Sequence, residues 1–266
     1  MTTKPSDAPW ADEPYKLLAT PSQANHDEHA YLYTASEMTH AHNAVIRGLN
    51  AIVQQAPHVP DATDKAYNER DVKDLLFYVK SWTKMVNHHH WVEESFIFPE
   101  IEKIPGCSGM TKDPRHQHDL FHPGMDRLLA YAESTKPAEY RWNGDDGMKE
   151  IIDSFAQYLT DHLHAEIDVF LGMKDVDSAS LRRAWDHGEV VAKQTGNIGM
   201  LYDVFPAVLG AIDKTYEGGH PFPPLPWVLP YLIKYWFAAG NGAWRFNPCD
   251  FWGRPRPLHF ALQPRL

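Results

Sequence analysis

Four stretches of the chain carry one pattern, an apolar line stepping by 3 and 4 residues that is broken each time by histidine or glutamate. In helix A the line is Met38, His42, Val45, Leu49, Ile52 and Ala56. In helix B it is Val72, Leu75, Val79, Trp82, Val86, His89, Glu93 and Phe96. In helix C it is His118, His122, Met125, Leu129 and Ala132, and in helix D Met148, Ile152, Phe155, Leu159, His162, Glu166 and Val169. Steps of 3 and 4 return a side chain to one face of an α-helix, whereas a half-buried strand would alternate every second residue. Four such helices joined by short connections predict an all-α protein, an up-down four-helix bundle.

The boundaries follow from helix-stopping and turn residues. Pro57 and Pro60 end helix A and Pro99 ends helix B, because proline lacks the N–H that a helix interior needs. Asp113-Pro114 is an N-cap followed by a first-turn proline, and opens helix C. Pro123-Gly124 predicts a kink or fresh start inside it. Residues 143–147 form the turn before helix D. The reading divides the chain into a tail at 1–29, the bundle at 30–173 and an extension at 174–266 packed on the bundle. The extension is predicted to contain a helix from Ser180 to Lys193, another from Ile198 to Tyr216 bent at Pro206, a stiff segment at 221–227 and an aromatic stretch from Tyr231 to Phe246.

Composition excludes several classes of partner. With 25 basic against 35 acidic side chains the formal charge is -10, and no basic run offers a footprint for nucleic acid or an anionic membrane surface. The stretch from Leu225 to Ala239 contains Pro230 and Lys234 and is too short to span a bilayer. No secretory signal opens the chain, and two cysteines, Cys107 and Cys249, make no disulfide framework, so a cytoplasmic location is expected.

The polar residues of the seams carry the chemistry. His42, His89, Glu93, His118, His122, His162 and Glu166 would all point into the bundle. A buried polar group without a compensating bond costs roughly 1–3 kcal/mol, so seven together call for a common partner. A metal site supplies it, since imidazole suits iron, zinc and copper and carboxylates can bridge two ions. Two ions sharing both carboxylates suit seven ligands better than one ion does. The i, i+4 pairs His89/Glu93 and His162/Glu166 would each deliver one bridge. His90 with Glu94, and His164 with Asp168, have the same spacing but lie off the seams. They are expected to face solvent or a neighbouring helix, as are His40, His88 and His116.

These residues resemble the hemerythrin-like (HHE cation-binding) family. The resemblance rests on His42-Asn43-Ala44-Val45-Ile46-Arg47, on His89-His90-Trp91-Val92-Glu93-Glu94 with Phe98-Pro99, on His118 and His122, and on His162-Leu163-His164-Ala165-Glu166. It covers about residues 30–172. The segments 213–218 and 243–250 look like those of long fungal members. The resemblance implies a non-haem di-iron centre: Glu93 and Glu166 bridging, His118, His122 and His162 on one iron, and His42 and His89 on the other, whose open position would take dioxygen. Pro123 disfavours helical geometry at His122, so a single helix C ligand, His118 or His122, stays open. Respiratory members carry an aspartate one position after Glu166, where this chain has Ile167.

Two functions follow as expectations. One is an oxidoreductase of the oxygenase type acting on a small organic substrate, with Trp185, Trp227, Tyr231, Tyr235, Trp236, Phe237, Trp244, Phe246 and Trp252 walling a pocket over the open iron. The alternative is reversible binding of dioxygen or nitric oxide, or iron or redox sensing, which the nitrogen-rich ligand set favours. A homodimer is a further possible assembly, built on the same aromatic surface.

Overall fold

The computed structural model describes residues 11–21, 29–195 and 198–261. α1 (Ala30–Gln55) starts on His29, whose Nδ1 accepts from the Tyr31 N–H at 3.2 Å. α2 (Glu69–Val92) starts on Asn68, whose side chain accepts from Arg70 N–H at 3.0 Å, and places Glu69 and Asp71 in the positive first turn. A wider π turn, Glu93–Ile97, continues α2 into α3 (Phe98–Glu102). α4 (Lys112–Ser134) follows, then α5 (Met148–Asp153) and α6 (Ala156–Leu171), which together make the expected helix D with a break at Ser154-Phe155. α1 packs on α2 and α6, α2 on α4, and α4 on α6, so the helices close a four-membered ring in chain order.

Two registers differ from the sequence reading. In α4 the buried line is Pro114, His118, Phe121, Met125, Leu128 and Ala132, not the predicted one through His122 and Leu129. Both choices satisfy a 3.6-residue period, and the Phe121 ring, fully buried, takes the inward place that His122 would have had. α4 runs through Pro123 as one helix, with the proline ring on its exposed side. On the α2 side, the π turn adds a residue after Glu93, so Ile97 and Phe98 are buried and Phe96 is only partly so.

The extension forms α7 (Ser178–Gln194), α8 (Ile198–Tyr202), α9 (Val204–Ala211) and α10 (Leu229–Leu232), then a π turn at Ile233–Phe237 and a short helical turn at Gly242–Phe246. The helix predicted from Ile198 to Tyr216 is broken at Asp203 and ends at Ala211, because Pro206 falls in the first turn of α9, where its missing N–H has no partner to lose. α9 packs on α1 and α2, α7 on α1 and the π turn after α2, and Gly242–Phe246 on α2. Gln55, at the end of α1, ties the chain ends together: its Nε2 donates to Phe246 O at 2.8 Å and its Oε1 accepts from Phe260 N–H at 3.3 Å. Trp227, Tyr235 and Trp236 are exposed.

Part of the expected tail is packed. Asn43, Arg47 and Asn50 form a polar stripe on α1 against residues 11–21. Asn43 bonds Leu18 N–H and O at 2.8 and 3.0 Å, Asn50 bonds Ala11 O and Tyr15 O at 2.9 and 2.8 Å, and Arg47 pairs with Asp12 at 3.0 Å. Residues 1–10 and 22–28 of that tail, with residues 262–266 of the extension, lie outside the described residues. Among the described residues no helix is long and apolar enough to cross a membrane.

α1 and α2 meet at Gly48, where a Cβ would lie 2.3 Å from Trp82 Cδ1. Trp82 is wholly buried and its Nε1–H donates to Val45 O at 3.0 Å, so the ring cannot swing aside. Gly48→Ala should therefore destabilise the fold by roughly 1–3 kcal/mol through overpacking. Calorimetry would read a fall in Tm of about 2–4 °C per kcal/mol at this chain size; an unchanged Tm would mean that the two helices can part without cost.

Candidate metal centre

The centre sits inside the helix ring, and its imidazoles are set by hydrogen bonds on their far nitrogens. His42 Nδ1–H donates to Leu163 O at 2.8 Å. His118 Nδ1–H donates to the Glu94 carboxylate at 2.5 Å, and His162 Nδ1–H to Gln117 Oε1 at 3.0 Å. Carbonyl and carboxylate oxygens only accept, so each of the three rings carries its proton on Nδ1 and presents a bare Nε2 lone pair to the interior. Those lone pairs face acceptors. His118 Nε2 lies 3.1 Å from His162 Nε2, and His42 Nε2 lies 3.3 Å from Glu166 Oε2. The rings supply no proton to bond these pairs, and a cation between the facing atoms resolves both contacts.

The two carboxylates stand between two groups of imidazoles. Ligand atoms of His90, Glu93, His118 and His162 lie within 4.8 Å of one another, and so do those of His42, His89 and Glu93. Glu93 Oε1 is 3.0 Å from His89 Nε2, while its Oε2 is 3.8 Å from His118 Nε2. Glu166 Oε2 is 3.3 Å from His42 Nε2 and 3.7 Å from His162 Nε2. Each carboxylate thus touches both groups. Both oxygens of Glu93 and of Glu166, both ring nitrogens of His90 and Nε2 of His42 and His89 are buried without a hydrogen-bond partner. Unmet atoms of this kind, nearly all of them lone-pair bearers, fit a metal site.

The structure brings His42, His89, Glu93, His118, His162 and Glu166 together. His122 it leaves outside both groups: the residue is partly exposed, although its Nε2 is buried, and its ring centroid is 5.5 Å from that of His118 and 5.6 Å from that of His90. His90 occupies the inner place instead and is fully buried, which differs from the expectation that it faces outward. The reason is angular. On a helix of about 3.6 residues per turn, Glu93 lies roughly 40° from His89 on one side and 60° from His90 on the other. One carboxylate therefore serves an imidazole on either flank, and a seam drawn as a single line sees only one of them. Glu94, which lies off the helix B seam, orients His118, and Gln117, which belongs to no seam, orients His162. His164 faces outward as expected, its Nε2–H donating to Lys16 O at 3.0 Å.

Burial sets the proton affinities of the metal-free site. It holds His42, His90 and His162 well below the ordinary 6.5, with neighbouring imidazoles adding to the effect. His89 and His118 are also lowered by burial, opposed by nearby glutamates. Glu93 is pushed well above 4.5 by burial and then by the Glu166 charge, and burial raises Glu166 to about 7 against the pull of His89 and His118. A bound cation reverses this logic by favouring the ionised carboxylates.

A cavity of about 270 Å³ opens onto one flank of the centre, and His89 and Glu93 are part of its lining. α1, α2, α7, α8, α9 and residues 222–225 wall it with apolar side chains such as Met38, Val92, Met200, Phe205 and Leu225. Of the nine aromatic residues expected there, Trp185 contributes. Trp244 and Phe246 are buried against Phe77 and Tyr78 of α2, and Trp227, Tyr235 and Trp236 face outward.

Two outcomes follow. His90→Ala should drop the metal content from about two ions per chain to about one, while His122→Ala keeps both, read by elemental analysis after iron loading; equal loss in the two variants would return His122 to the inner set. The metal-free protein should be most stable at about pH 6.5. Below 6.5 the unfolded chain protonates five imidazoles that the fold keeps neutral, outnumbering the two glutamates whose protons the fold retains, so stability falls as pH falls. Above 6.5 only the glutamates differ, and stability falls as pH rises because the unfolded chain has released their protons. Thermal melts of chelator-stripped protein between about pH 5 and 8 check this, and iron loading should raise and flatten the profile.

Comparison with known proteins agrees with the geometry. The family model of the hemerythrin HHE cation-binding domain matches residues 34–173. The chain is 36% identical over 262 residues to a protein named dimeric xanthone biosynthesis cluster protein R11 from Cryptosporiopsis sp. (strain 8999), covering 94% of this chain and 93% of that one. No solved structure gives a significant match. The bare imidazole and carboxylate atoms at the heart of the helix ring are thus those of a cation-binding domain, and the chain belongs to the hemerythrin HHE cation-binding family.

Proposed function

We propose that the protein holds two iron ions and uses dioxygen to oxidise a small organic molecule. His42 and His89 would hold one ion and His90, His118 and His162 the other, with Glu93 and Glu166 shared between them. Bound there, the iron pair supplies the redox equivalents with which dioxygen is activated.

The observation that carries the reading is the cavity. A carrier of a diatomic gas needs only a narrow apolar path, whereas about 270 Å³ lined by the extension and reaching His89 and Glu93 has room for a ring-sized molecule. Its apolar walls exclude water from the reacting face and hold a substrate by shape. His89 lies on the cavity side of the centre while His90, His118 and His162 lie behind it, so a bound molecule would approach the ion held by His42 and His89. The relative's printed name, which assigns it to a biosynthesis cluster, supports an enzyme over a carrier.

The nitrogen-rich ligand set favours a second reading, reversible capture of dioxygen or nitric oxide. The two part experimentally. Reduced iron-loaded protein should take up oxygen in proportion to an added substrate, and Val208→Trp, which fills the cavity from α9, should cut that uptake by about tenfold or more with iron content unchanged. An oxygen adduct that forms and dissociates equally well in both proteins, with no product from a broad metabolite panel, would establish the carrier instead.

A further inference from the structure

The polar groups lining the cavity are of two kinds. They are the carboxylates Glu37, Glu189 and Glu93 and the imidazoles His88 and His89; no lysine, arginine, amide or hydroxyl side chain lines it among the described residues. Glu93 and His89 belong to the metal centre. Glu37 does not: it projects from α1 into the cavity, is 4% exposed, and its Oε1 lies 3.7 Å from His220 Nε2. His220 is in turn stacked on His40, with ring centroids 4.2 Å apart. Glu189, on α7, accepts from Trp185 Nε1–H at 3.0 Å and from the Tyr33 hydroxyl at 3.4 Å.

We propose that the cavity selects a neutral ring compound bearing a hydroxyl group, with Glu37 as the anchor that accepts the hydroxyl proton in a hydrogen bond. The inference rests on the reading of the cavity as the substrate site. A carboxylate has lone pairs for several donors, so Glu37 can accept from a ligand hydroxyl beside its contact with His220, and a site built to hydrogen-bond a hydroxyl strongly rejects an analogue that lacks it. In the metal-free cavity a carboxylate-bearing ligand would meet like charge on Glu37 and Glu189, with no cationic side chain in the lining to balance it. An ammonium would lose its water to the apolar walls that make up most of the lining. Trp185 and Phe205 line the cavity and offer flat surfaces to a ring. Glu37 is thus a specificity-determining residue that the metal-ligand pattern does not reveal.

Calorimetric titration of full-length, iron-loaded protein under argon, where no turnover occurs, tests this with three probes of one shape: 2-naphthol, 2-naphthoate and 2-naphthylmethylammonium. The same titrations on chelator-stripped protein separate cavity binding from direct ligation of iron. In the chelator-stripped form 2-naphthol should bind at least about tenfold more tightly than either charged probe. Glu37→Gln should shrink the preference for naphthol over naphthoate to about threefold or less, with iron content and Tm unchanged, and Val208→Trp should abolish naphthol binding. A charged probe binding the stripped protein as tightly as naphthol overturns the proposal, and this result needs no variant to fold. So does an unchanged preference in folded Glu37→Gln, or naphthol binding that survives Val208→Trp. Naphthol binding with no substrate-driven oxygen uptake from any compound would remove the oxygenase reading and leave this inference standing. Oxygen uptake driven by a carboxylate-bearing substrate would do the reverse.

Discussion

Lone pairs that face each other in a dry core are the constraint on which this molecule depends. His118 Nε2 and His162 Nε2 are 3.1 Å apart, and His42 Nε2 is 3.3 Å from a glutamate oxygen, while the proton of each ring is committed elsewhere. Carbon–carbon packing around these atoms, through Phe121, Leu159, Val86 and Val45, keeps water away from them. Without a cation the site relieves itself by holding protons on Glu93 and Glu166 and keeping its imidazoles neutral. With one, the same apolar packing strengthens every ligand contact. The groups that orient the rings, Leu163 O, Glu94 and Gln117, therefore matter as much as the ligands, because they decide which nitrogen faces inward.

The extension changes what such a centre can do. A ring of four helices alone would leave the His89 face of α1 and α2 open to solvent. α7 and α9 cover that face while leaving a gap, and the segment 222–225 roofs it. The cover is held at a distance from the cavity: Gln55 receives Phe246 and Phe260, and Asn247 Nδ2 donates to Pro206 O at 3.1 Å at the start of α9. The cavity walls are thus anchored by contacts that do not themselves enter it, and the lining is free to be shaped for a ligand.

The fold was legible because four amphipathic stripes, each ended by proline or a turn, allow little besides a helical bundle. Six of the seven proposed ligands were legible for the same reason, since a polar residue on an apolar stripe has to be explained. What misled was phase. A step of 3 and a step of 4 are equally compatible with a 3.6-residue helix, so spacing alone cannot choose between Phe121 and His122 as the inward residue of α4, and packing chooses Phe121. The triple histidine 88–90 held the needed signal, because His90 is three residues before Glu93 as His89 is four before it. A stripe drawn one residue wide discards that information.

A pocket over the centre was expected, but Glu37 and most of the lining were not legible. Their chemistry joins α1, α7, α9 and a loop near residue 222, elements far apart in the chain whose sequences carry no shared period. The aromatic residues of the extension drew attention by their number, yet most of them pack on α2 or face outward, and smaller apolar side chains line the space. The sequence by itself determined a bundle of helices with imidazoles and two carboxylates turned inward, because local periodicity and the cost of burying polar atoms act within each helix. Only the tertiary structure decided which imidazole stands next to which carboxylate, which nitrogen each presents, and that an acceptor-lined cavity meets them, because those depend on how separate helices are rotated against one another in a close-packed core.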